Sequence, residues 1–350
     1  MRVPAGVEGI VRGRHEATHR LGVSLAPLLA VLAALLGPHW SPGAPAARPP
    51  GTYFSGDYTN AAGTRSYLGY VPSTYRAGTA VPLIVALHGC DQTADALRKL
   101  TRSDILAEAE NFIVVYPEQS ASANSMNCWN WFNGAHMQRG QGEPSLIAGI
   151  TERVEQRYSI DPRRIFVMGF SAGGAMTTIM GATYPDRYAA IGIGSGCQYG
   201  SPGADTAQAG EWAYRAMAAH AREMPTLVFH GGRDAIMPVV HGDKLVQQWL
   251  TTADWADDGS SNGSVPTSPI RTRNEKLQTG RAYTVGEYVD GQGRELVQYW
   301  LVQDMAHGWS GGCECASYSD PSGPDETRAM YDFFTSHPMP QPQVSLGSRG

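Results

Sequence analysis

Short, continuously apolar runs punctuate this chain, and most end in a cluster of small or polar residues. Val81–Leu87 (VPLIVAL), Phe112–Tyr116 (FIVVY), Arg164–Met168 (RIFVM), Tyr188–Ile193 and Pro225–Phe229 (PTLVF) have the length and β-branched content of strands buried on both faces. Three- and four-residue apolar spacing predicts helices between them, over Ala94–Ala109, Ser145–Tyr158, Gly174–Tyr184, Glu211–Glu223 and Lys244–Ala253. Arg65–Val71 alternates polar and apolar residues like an outer strand. Arg281–Val289 and Glu295–Val302 alternate likewise, and Asp290-Gly291-Gln292-Gly293 joins them as a hairpin turn. Asp257–Pro269 reads as a surface loop, and Asp325–Phe334 closes the pattern as a helix behind Pro324. Strands alternating with helices predict an α/β fold with a mostly parallel sheet covered on both faces. In such sheets reactive groups collect beyond the carboxyl ends of the strands.

Those ends carry the chemistry. The Arg164–Met168 run leads directly into Gly169-Phe170-Ser171-Ala172-Gly173 and then a helix. That is the strand–G-x-S-x-G–helix context of a nucleophile elbow. A serine hydroxyl is a weak nucleophile until a base takes its proton. His307, beyond the last strand, is the expected base, because the other histidines lie in the leader, the tail, loops or helices, or too near the acid, as His230 does. Asp234, beyond PTLVF, is the expected acid that orients the imidazole; Glu287, Asp290 and Asp304 are rivals in less suitable positions. Ser, Asp, His is the chain order of an α/β-hydrolase triad. A tetrahedral intermediate also needs backbone donors: one from Ala172, the other from Cys90 or Gly89 in the His88-Gly89-Cys90 strand exit. Trp129, Trp131 and Trp309, in otherwise polar loops, are the aromatic candidates for a substrate cleft.

Composition changes the picture at the amino end. Arg2, Arg12, Arg14 and Arg20 precede the apolar run Leu21–Leu36, and Ala44-Pro45-Ala46 follows. This is the layout of a secretory signal peptide over 1–46 rather than a membrane anchor, since Pro27 interrupts a run already short for a span. The expected layout is then a catalytic domain over 47–336 and a disordered Pro/Gln/Ser tail over 337–350. The leader holds four Arg and two Glu, so removing it takes the formal charge from −5 to about −7. A mildly acidic body argues against nucleic acid as a partner. Five cysteines remain, and in an exported chain disulfides are the expectation. Cys313-x-Cys315 has no second ligand pair, so no metal is expected.

LHGCDQTA (87–94), NCWNWF (127–132), DPRRIFVMGFSAGGAM (161–176), HGGRDAIMPV (230–239), HGWSGG (307–312) and SYSDPSGPDETRAMYDFF (317–334) follow one another in this order. Together they resemble the polyhydroxybutyrate depolymerase-like esterase family. The resemblance covers about Tyr53 to Phe334. It implies an α/β-hydrolase fold and a secreted carboxylic-ester hydrolase with no metal or organic cofactor. It carries over Ser171, Asp234 and His307 as triad and Cys90 and Ala172 as oxyanion amides. It also implies a Cys90–Cys128 disulfide, which leaves Cys197 to pair with Cys313 or Cys315. Depolymerases that attack solid polymer carry a linker and a polymer-binding module. Neither is legible here, which turns the expectation toward hydroxyalkanoate oligomers or other esters. The family shades into feruloyl and acetylxylan esterases, the alternative substrate class. A catalytically silent binding protein on the same fold is the alternative of another kind.

Overall fold

A computed structural model describes residues 50–200 and 202–341. The expected leader and residues 342–350 of the expected tail lie outside the described residues. The chain builds one ten-stranded sheet from β1 (Thr52–Asn60), β2 (Gly63–Val71), β3 (Val81–Leu87), β4 (Ile113–Pro117), β5 (Ile160–Phe170), β6 (Ile191–Gly194), β7 (Thr226–Gly231), β8 (Arg271–Lys276), β9 (Ala282–Val289) and β10 (Glu295–Val302). Their spatial order is β1-β2-β4-β3-β5-β6-β7-β10-β9-β8. The centre, β4 through β10, is parallel, and antiparallel pairs close both edges.

The apolar runs are continuous because both faces are covered. In β3, Leu83, Val85 and Leu87 enter one buried cluster, with Ile147, Met176 and Trp249. Ile84 and Ala86 point the other way, into a cluster with Phe166, Met330 and Phe334. The first face is covered by α3 (Gly142–Arg157), α4 (Ala172–Thr183) and α6 (Val240–Asp258), and α7 (Glu326–Ser336) packs on the second. Among the described residues no helix is long and apolar enough to cross a membrane.

Several expectations are corrected. The helix expected over Ala94–Ala109 is two helices, α1 (Ala94–Thr101) and α2 (Ser103–Glu110), broken at Arg102 with φ 52°. The carbonyls that would continue α1 are taken by distant partners: Cys313 N donates to Leu100 O (3.1 Å) and Thr327 Oγ1 to Thr101 O (2.7 Å). The helix expected over Glu211–Glu223 begins earlier, as α5 (Thr206–Met217), because Asp205 caps it by accepting from the amides of Ala207 and Gln208. Strands β1 and β8 have no counterpart in the sequence reading. Only Phe54 of β1 is buried, and β8 (RTRNEK) is a charged edge with no buried residue. Helix α6 runs on to Asp258, into the segment expected as loop. Residues 337–341, assigned to the tail, begin instead by packing back: Met339 N donates to Arg163 O (2.8 Å), and the Phe333 and His337 rings are in contact.

Candidate active site

Ser171 stands where β5 gives way to α4, with φ 56° and ψ −118°, a conformation costly for a side-chain-bearing residue. Its amide donates to Gly194 O (2.9 Å), and its carbonyl accepts from Ala175 N (2.9 Å), so the strain is held from both sides. The turn needs glycine at 173, where a Cβ would lie 2.0 Å from Leu87 O. Helix α4 therefore presses against the end of β3, and the Gly89 backbone comes against Ser171 itself: a Cβ on Gly89 would meet Ser171 Cβ at 3.2 Å.

Asp234 and His307 come from the loops after β7 and β10, adjacent parallel strands. Backbone contacts staple the two loops together. Arg233 N donates to Met305 O and Gly232 N to Val302 O, both at 2.9 Å, and a Cβ on Gly231 would meet Met305 O at 2.4 Å. Asp234 is buried; Oδ1 accepts from the amides of Ile236 (3.0 Å) and Met237 (2.7 Å). Oδ2 lies 2.7 Å from His307 Nδ1. Burial alone would raise the Asp234 pKa; the His307 hydrogen bond and the Met237 amide more than offset it and hold the carboxyl below its ordinary range. The ionised acid fixes the proton on Nδ1, which leaves Nε2 free to accept one. Phe170 (centroids 4.9 Å) and Tyr318 (6.0 Å, edge-on) flank the imidazole. Among the described residues no hydrogen bond joins Ser171 Oγ to His307. The acid and the imidazole are in contact, and the hydrogen bond to the nucleophile is one that often tightens only when substrate binds. His230 is buried beside them, with Nε2 on Met237 O (2.7 Å), and is 3.7 Å from Asp234 Oδ2.

The loop after β3 is wired by a buried polar chain. Gln119 N–H donates to His88 Nε2 (3.0 Å), so the His88 proton sits on Nδ1 and donates to Gly89 O (2.7 Å). Burial lowers the His88 pKa to about 4, which keeps the ring neutral. Gln119 Nε2 donates in turn to Cys128 O (2.8 Å) and to Glu143, a buried carboxylate that also faces Arg65 and accepts from Asn130. In a planar trans peptide the carbonyl and the next amide point in opposite directions. By holding Gly89 O, His88 therefore turns the Cys90 N–H away from the core. Of the two amides expected as donors from this loop, that of Gly89 is already engaged, donating to Gln92 Oε1 (2.9 Å). Among the described residues neither the Cys90 amide nor the Ala172 amide at the start of α4 has a protein acceptor. The arrangement can activate a hydroxyl and offer two amides to developing negative charge. Of these parts, Gln92, Gln119, Glu143 and Tyr318 were not foreseen. Gln119 lies two residues beyond the end of β4, the one signal in the sequence that marks it.

The disulfides and tryptophans modify the reading. Cys90 is bonded to Cys128. Cys197 pairs with neither Cys313 nor Cys315: those two are bonded to each other, and Cys197 is a buried free thiol whose pKa burial pushes up to about 12. Trp129 and Trp309 do not line a cleft. Trp129 is fully buried against His88, and Trp309 is buried with Nε1 donating to Thr327 Oγ1 (3.0 Å). Trp131 is only partly buried and meets the exposed Phe132 edge-on.

The sheet order and the strand–turn–helix at Ser171 define the α/β-hydrolase fold. The fold is shared with a solved acetyl xylan esterase from Aspergillus awamori (22% identity, TM-score 0.59, covering 73% of this chain and 94% of that one). The chain belongs to the family described as esterase PHB depolymerase, which it matches over residues 65–268. It is similar to poly(3-hydroxyalkanoate) depolymerase C of Paucimonas lemoignei, 32% identical over 254 residues, 68% of this chain and 57% of that protein. It is also similar to feruloyl esterase B of Neurospora crassa, 31% identical over 242 residues, 66% of this chain and 79% of that protein. The chain thus spans little more than half the length of the depolymerase.

Proposed function

We propose that this protein is an exported serine ester hydrolase. Ser171 attacks the ester carbonyl, His307 Nε2 takes its proton and returns it to the leaving alkoxide, and Asp234 supports the imidazolium. The Cys90 and Ala172 amides stabilise the oxyanion, and water then releases the acid from the acyl-serine. The observation that carries this reading is the 2.7 Å Asp234–His307 contact on the same sheet edge as a strained serine at a strand-to-helix turn. The family and its depolymerase member favour hydroxyalkanoate esters or oligomers as substrate. The second reading, a feruloyl or acetylated polysaccharide ester, is favoured by the larger share of the feruloyl esterase that the chain matches. Export rests on the charged and apolar pattern of the leader and on the disulfides. Hydrolysis of short-chain p-nitrophenyl esters tests the mechanism. Ser171→Ala should lower kcat by about 10⁴-fold or more, since triad members act as a unit; a variant as fast as wild type would overturn it.

A further inference from the structure

A cavity of about 720 Å³ opens beside this site, lined by Asp91, Gln92, Thr93, Asp95, Ala96 and Lys99 on one side and Cys315–Tyr318 on the other. Its volume suits a small-molecule subsite. Both sides border the chemistry: Asp91 follows Cys90 directly, and the Tyr318 ring lies against the His307 and Phe170 rings. These two lining residues are also strained. Asp91 has φ 55° and Tyr318 φ 61°, the latter a bulky residue in the left-handed region. The strain is anchored by Asp91 N donating to Met126 O and Trp309 N to Tyr318 O, both at 2.7 Å. Strain of this kind persists only where surrounding structure enforces it, and it clusters at functional sites.

The free groups define the ligand. Gln92 is spent on Gly89, Thr93 caps the Ala96 amide, and Asp95 is paired with Lys99 (2.7 Å) and Arg98 (2.8 Å). Among the described residues the Asp91 carboxylate and the Ser317 and Tyr318 hydroxyls have no protein hydrogen-bond partner. The groove therefore presents a carboxyl acceptor, two hydroxyls and an aromatic face. The interior of a simple polyester offers carbonyl and ether acceptors but no donor, so it leaves the Asp91 carboxylate unmatched.

Resting on the ester hydrolase reading above, we infer that this groove binds a hydroxyl-bearing flank of the ester, with Asp91 accepting from the hydroxyl and Tyr318 packing against its carbon skeleton. The hydroxyl belongs either to the acyl part, as in a terminal 3-hydroxyacyl unit, or to a polyhydroxylated alcohol. Asp91 and Tyr318 are then specificity residues.

The test uses the full chain and two matched pairs. p-Nitrophenyl 3-hydroxybutyrate against p-nitrophenyl butyrate varies the acyl side, and a monoacetylated methyl xyloside against cyclohexyl acetate varies the alcohol side. A hydrogen bond to a charged group predicts a kcat/KM preference of roughly tenfold or more for the hydroxylated member of one pair. That pair identifies the source of the hydroxyl. Asp91→Asn, which tolerates the left-handed backbone, should reduce the preference to within about threefold. Tyr318→Phe, which keeps the ring, should retain more of it. Turnover of these esters without preference, or a preference that Asp91→Asn leaves intact, overturns the inference. Failure to hydrolyse any of the four overturns the hydrolase reading instead.

Discussion

Replacing His88 tests whether one buried imidazole aims the oxyanion donor. His88→Leu removes both of its bonds, leaving Gly89 O and Gln119 N–H without partners in the interior. Each such group costs about 1–3 kcal/mol, so stability should fall by about 2–6 kcal/mol. Freed from His88, the Gly89–Cys90 peptide can rotate. Outright loss of one oxyanion donor costs about 10²–10³ in kcat, which is the ceiling for this variant. The loss should fall on kcat and spare KM, because the amide meets charge only in the transition state. His88→Asn, whose amide can still reach Gly89 O, should recover part of it. Stability against pH gives a second readout. Burial lowers the His88 pKa from 6.5 to about 4, so between those values the unfolded chain binds a proton that the native ring does not. The neutral ring's contribution is complete above pH 6.5 and is lost as pH falls toward 4, a change on the order of 3 kcal/mol. Wild type should lose that much more than His88→Asn over this window in denaturant melts. A His88→Leu enzyme with native circular dichroism and an unchanged kcat would refute the aiming role.

Two further outcomes check other parts of the structure. Glu326 is wholly buried, accepting from Ser310 N (2.9 Å), and burial raises its pKa well above the ordinary range. A raised carboxyl contributes fully below its unfolded pKa and loses that contribution as pH rises through the folded value. Glu326→Gln should therefore match wild type near pH 4 and exceed its Tm by a few degrees at pH 8, read by thermal melts. Trp309→Phe removes the bond to Thr327 and should cost about 1–2 kcal/mol in stability with KM unchanged; a large rise in KM would return Trp309 to the substrate cleft.

The sheet's centre was legible because β3, β4 and β7 are covered on both faces, which writes an unbroken apolar run into the sequence. The edges were not. RTRNEK forms β8 through backbone pairing with β9, and backbone bonds leave no mark on residue type. The candidate triad residues were legible because each follows a strand end, and a strand end is readable. Trp309 is misread because its sequence neighbours are small or polar, whereas its burial comes from remote partners: Thr327 holds it and reaches Thr101, far earlier in the chain. The groove was invisible for the same reason, since its two walls lie in segments the sequence sets far apart.

The adjacency of β7 and β10 has a consequence in time. Asp234 and His307 meet across a separation of 73 residues, with α6 and the β8–β9 pair emerging from the ribosome between them. Long loop closures are slow to form, so the pairing that brings Asp234 to His307 is expected among the late steps of folding. The proposed triad is complete only once β10 docks on β7, which makes this central strand pairing the step that assembles the site.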